Sequence, residues 1–120
     1  MLNYKEKKLF LLELNKILAL DIKFSLEKEG FNVQVIDSVE EFKSIKIPSG
    51  SIILITLSML LEDHIKEIIN NEYSHLPVIL ISGRITTEEF LRQNFPPNYY
   101  FLPKPFTSSE LIPRLKMLKD

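Results

Sequence analysis

Four polar side chains stand at or just past the ends of apolar runs, where folding could gather them: Glu13, Thr56, Ser82 and Lys104. They comprise one carboxylate, two hydroxyls and one amine. Such a set could line a small enzyme pocket or bind a small anion. It supplies no convincing nucleophile–base pair, because no base stands near Thr56 in the pattern. The chain has no cysteine, which removes thiolate catalysis, thiolate metal sites and disulfides. His64 and His75 lack metal-ligand spacing to each other and read as surface histidines. Gly83-Arg84 lacks the glycine-rich pattern of a phosphate loop. No metal and no cofactor is expected.

The elements that must position these groups start from Ser51–Leu57. Ile52 to Ile55 is an uncharged apolar run, and Pro48, Ser49 and Gly50 stop whatever precedes it. A short apolar run between turn signals suits a strand buried on both faces. In an open parallel sheet the chemistry sits at the carboxyl ends of such strands, which here means Thr56. Lys8 to Leu12 reads as a first strand, ending at Glu13-Leu14-Asn15. A helix follows from about Lys16 to Lys28, with Gly30 as its stop. Phe31 to Ile36 alternates apolar and polar residues, as a half-covered strand does. Ser38 followed by Glu40 and Glu41 starts a short helix to about Ile45. Ser58 to Asn71 carries a helical stripe of Leu61, Ile65, Ile68 and Ile69. Leu76 to Ile81 reads as a fourth strand, Thr86 or Thr87 as a helix cap, and Tyr99 to Leu102 as a fifth strand. Thr107-x-x-Glu110 is a capping box for a last helix. Five strand–helix repeats imply an α/β fold with a parallel sheet covered on both faces.

The bulk numbers agree with one domain over residues 1–120. The chain is 45% hydrophobic and 26% charged, with a net charge of −1, so no global field draws it to nucleic acid or membrane. No run approaches the roughly 18 apolar residues that a membrane span needs. Glu13 interrupts the apolar run after Lys8, so this stretch is not expected to act as a signal peptide. A cytoplasmic protein is expected.

The ordered motifs carry a resemblance. Leu102-Pro-Lys104-Pro105-Phe106, the strand Leu76–Ile81 with Ser82-Gly83, and Glu-Lys-Glu-Gly30-Phe31 fall in sequence on the five-fold pattern. The spacings are 17 positions from Glu13 to Gly30 and 22 from Ser82 to Lys104. Over nearly its whole length the chain resembles the receiver domain of two-component response regulators. That resemblance implies a flavodoxin-like, doubly wound five-stranded sheet in the order 2-1-3-4-5. It also implies where the family's chemistry would fall. The phosphoryl-accepting aspartate corresponds to Thr56. The magnesium-holding acidic pair corresponds to Glu13 and Leu14, and a leucine cannot ligate a metal. Ser82 matches the switch serine or threonine, Lys104 the lysine, and Phe101 the switch aromatic. The resemblance therefore points to a degenerate, or pseudo-, receiver that acts by protein–protein contact. Two alternatives stay open: a regulator phosphorylated at a non-standard residue, and a module that binds a small anion in the degenerate pocket. Without phosphate, Lys104 could bridge to Glu13 or stand solvated, and Ser82 could serve only as a local cap.

The first helix adds a partner surface. At about 100° per residue, Leu18, Ala19, Ile22 and Leu26 form one stripe suited to the sheet. Ile17, Leu20 and Phe24 fall together on another side. A surface helix normally shows one apolar face, so this second ridge is a candidate interface. Its occupant would be a signalling protein or a second copy of the chain, unless Met1–Tyr4 or the final helix covers it.

Overall fold

The computed structural model of the protein describes residues 8–62, 64–82, 95–103, 113 and 115. Five strands build one parallel sheet: β1 (Lys8–Leu12), β2 (Asn32–Ile36), β3 (Ile52–Thr56), β4 (Val78–Ser82) and β5 (Tyr99–Pro103). Their order is β2-β1-β3-β4-β5. This is the expected doubly wound, flavodoxin-like arrangement. Four helices are complete among the described residues: α1 (Lys16–Lys28), α2 (Val39–Ser44), α3 (Leu57–Leu60) and α4 (Ile65–Glu72). The helix expected after Thr86 or Thr87 and the capping box at Thr107–Glu110 lie outside the described residues.

Every residue of β3 is buried. Successive side chains in a strand point to opposite faces, so β3 feeds two cores. Ile53 and Ile55 pack with Phe10, Leu12, Val78 and Leu80 beneath Phe42 of α2, Met59 of α3 and Ile65 and Ile69 of α4. Ile52 and Leu54 pack with Leu9, Leu11, Ile79 and Ile81 beneath Ala19, Ile22 and Leu26 of α1, joined by Leu115. Phe101 of β5 belongs to the first of these cores. The edge position of β5 lets it end at Pro103, whose missing N–H is tolerated there.

Local signals set the helix ends. Asn15 accepts a hydrogen bond from the Leu18 N–H at 3.1 Å, capping α1. An asparagine just before an apolar-periodic run is the sequence signal for such a cap. Gly30 stops the helix at φ 95, where a side chain would be strained. Ser38 caps α2 as expected, accepting from the Glu41 N–H at 3.1 Å.

One expectation fails. The single helix over Ser58–Asn71 is two helices, α3 and α4. His64 takes φ 61, a left-handed conformation that cannot continue an α-helix. Histidine is among the residues that tolerate it best. The Glu62 N–H turns back to the Met59 carbonyl at 3.0 Å, closing α3. The break lets Met59 and Leu60 point into the core along one axis, and Ile65 and Ile69 along another.

Two buried tyrosines tie loops to this core, and each yields a prediction. The Tyr73 hydroxyl accepts from the Ile47 N–H at 3.1 Å in a buried site. Tyr73→Phe keeps the ring and strands that N–H, so urea unfolding should show a loss of about 1–3 kcal/mol. The Tyr99 hydroxyl donates to Asn70 Oδ1 at 3.0 Å. Burial pushes the Tyr99 phenol up from 10.0 to about 12. The folded state thus holds that proton more tightly than the unfolded chain. Its contribution is full below about pH 10 and is lost as pH rises to about 12, a change of roughly 2–3 kcal/mol. Urea midpoints should fall across this window by more in the wild type than in Tyr99→Phe.

Candidate functional site

The parallel register brings Glu13 and Thr56 together. Leu12 pairs with Ile55 across β1 and β3, so the next residues, Glu13 and Thr56, emerge side by side. Glu13 continues the parity of Leu9 and Leu11, and Thr56 that of Ile52 and Leu54, so both lie toward the α1 face. The Glu13 N–H donates to the Ile36 carbonyl at 3.1 Å, which holds this backbone against β2. Glu13 is 3% exposed and Thr56 1%. The Thr56 hydroxyl donates to Glu13 Oε2 at 2.7 Å and lies 3.5 Å from the Leu12 carbonyl. With that proton directed at Glu13, Ser58 Oγ is the donor in its 3.3 Å contact with Thr56.

This corrects the sequence reading in one respect: Thr56 does have a carboxylate beside it. The pair still makes a poor nucleophile. The hydroxyl is sealed from solvent, so no substrate reaches it in this arrangement. Its physical role is to satisfy a buried carboxylate, which would otherwise be costly. Among the described residues no cation pairs with Glu13, and no three carboxylate or imidazole groups converge as a metal site would require.

The other expected members are placed as follows. Leu14 turns outward beside Glu13 and is 37% exposed. Ser82 ends β4, paired through its backbone with Pro103 of β5. Phe101 is buried within β5. Lys104 lies outside the described residues, so its bridge to Glu13 does too. On α1, Ala19, Ile22 and Leu26 are buried, while Ile17, Leu20 and Phe24 are 83%, 50% and 64% exposed. Lys28 Nζ sits 5.3 Å from the centre of the Phe24 ring. Sequence reasoning missed one feature. A cleft of about 570 Å3 opens where Leu14, Asp37, Val39, Glu40, Lys43 and Glu62 meet. These residues come from three separate stretches of the chain, so no local pattern announced them.

No protein-family profile and no curated protein sequence matches the chain. Solved structures do. The non-phosphorylated HemR receiver domain from Leptospira biflexa superposes with a TM-score of 0.70 at 20% identity, covering 96% of this chain and 98% of that one. The Francisella response regulator 1452 receiver domain gives 0.70 at 25% identity, covering 93% and 95%. The chemotaxis response regulator CheY4 of Vibrio cholerae gives 0.71 at 13% identity, covering 92% and 96%. The chain therefore has the fold of response-regulator receiver domains. Among the described residues no helix is long and apolar enough to cross a membrane.

The Glu13–Thr56 bond predicts a measurable coupling. Thr56→Val keeps the shape and removes the donor, so the chain should lose about 1–3 kcal/mol in urea unfolding. Glu13→Leu combined with Thr56→Val should cost less than the two single changes added, with a coupling of about 0.5–3 kcal/mol. Strict additivity would mean that the bond contributes nothing.

Proposed function

We propose that this protein is a pseudo-receiver: a two-component-type signalling module that works without phosphoryl transfer, through contact with other proteins. The observation that carries this reading is the buried Glu13–Thr56 hydrogen bond. Thr56 stands where the resemblance puts the acceptor aspartate, and its hydroxyl is turned onto the carboxylate rather than toward solvent. Leu14 stands where a second acidic ligand would be needed to hold magnesium. Burial of Thr56 also weighs against phosphorylation at this non-standard residue, since a phosphodonor must reach the oxygen it modifies. With no phosphate to bias them, Ser82 and Phe101 have no ligand-dependent free energy to switch on. The module then has no catalysis of its own, and a cytoplasmic setting fits its receiver fold.

Its working surface is the outer face of α1. Ile17, Leu20 and Phe24 expose three large apolar side chains opposite the core stripe, and apolar ridges of this kind mark contact sites. The contact is with a signalling protein or a second copy of this chain.

Incubation with acetyl phosphate and magnesium should leave the intact mass unchanged. Stoichiometric addition of one phosphoryl group would overturn the reading. Thr56→Asp alone should not restore full phosphorylation, because Leu14 leaves the metal site incomplete. Leu20→Glu with Phe24→Lys should keep the circular dichroism and urea midpoint, since neither residue faces the core. It should also abolish association in sedimentation velocity or with a captured partner. If the folded double variant associates as before, the interface lies elsewhere.

A further inference from the structure

The cleft at the carboxyl end of the sheet has its own chemistry. Leu14 and Val39 supply apolar surface, and Asp37, Glu40 and Glu62 surround it with carboxylates. Among the described residues of its lining, three are acidic and Lys43 is basic. Leu14 is 37% exposed, and Leu61, next to Glu62 in the chain, is 69% exposed. An apolar side chain ringed by like charges gains from a partner that covers it and brings opposite charge.

The arrangement selects among ligands. Among the described residues no three acidic or imidazole groups are grouped closely enough to hold one metal ion. Three carboxylates lining one cleft suit a partner chain with several cationic side chains better than one small cation. The acidic rim also repels nucleic acid and anionic lipid surfaces. We propose that this cleft docks a basic amphipathic segment of a partner protein, its apolar side chain against Leu14 and Val39 and its lysines or arginines against Asp37, Glu40 and Glu62. This surface goes beyond the α1 face and does not depend on the absence of phosphorylation.

The test uses the full chain, labelled with nitrogen-15, and a capped peptide of about 12 residues with Leu and Lys at amphipathic-helix spacing. Two control peptides replace every Lys by Glu, or every Leu by Ser. The Leu/Lys peptide should shift the amide signals of Leu14, Val39, Lys43 and Glu62. Both controls should bind at least about tenfold more weakly, and raising salt from about 0.05 to about 0.5 M should weaken the complex. Glu40→Lys with Glu62→Lys should cost at least a further tenfold (about 1.4 kcal/mol). Glu40 lies in the first turn of α2. If its loss unfolds that helix, Glu62→Lys alone still reads the rim, and Leu14→Ser reads the floor. The proposal is overturned if the Glu peptide binds equally, if the variants bind unchanged, or if nothing binds. Shifts confined to Ile17, Leu20 and Phe24 would overturn it too, while leaving the α1 contact standing. Concentration-dependent shifts at the cleft without peptide would also overturn it, making a second copy the occupant.

Discussion

A strand buried on both faces leaves no side chain free to move alone, and β3 imposes that constraint on the whole chain. Its five residues serve two cores at once. A one-residue slip would exchange Ile53 and Ile55 with Ile52 and Leu54, and every neighbour on both faces would have to repack. The register with β1 and β4 is therefore fixed, and so are the positions of whatever follows those strands. Glu13 and Thr56 meet because Leu12 and Ile55 are paired, not because either seeks the other.

What the meeting does depends on burial. In water a threonine beside a glutamate is a minor contact. Here both groups are almost wholly removed from solvent, so the hydroxyl becomes the donor that makes the carboxylate tolerable. The same closeness that would suggest chemistry in an open pocket reads as structure in a closed one. The carboxyl end of the sheet thus keeps the geometry of a receptive site, while its central groups satisfy one another.

The proposed contact surfaces lie outside this closed pair, on α1 and on the cleft beside Leu14. α1 separates its two apolar sides cleanly: one covers the sheet, the other faces away. The cleft beside Leu14 collects side chains from the β1–α1 connection, from α2 and the residues just before it, and from Glu62 after α3. Both features sit on a rigid frame, which suits recognition, because little ordering entropy is lost when such a surface is covered.

The sequence by itself determined the strands, their order of appearance and the inward stripe of α1. These follow from short-range patterns: apolar runs between turn residues, a period of about 3.6, a serine cap at Ser38 and a glycine stop at Gly30. It also placed Glu13 and Thr56 at strand ends, from which their neighbourhood follows once the strand order is assumed. It could not show that Thr56 gives its proton to Glu13, because a hydrogen bond across 43 positions depends on register and burial. Nor could it break the stripe from Ser58 to Asn71. The apolar spacing is continuous through His64, while in the fold Met59 and Ile65 enter one core on either side of the left-handed His64. The cleft was beyond reach for the same reason. Leu14, Asp37 and Glu62 are unremarkable in their own segments, and only the tertiary structure makes them neighbours.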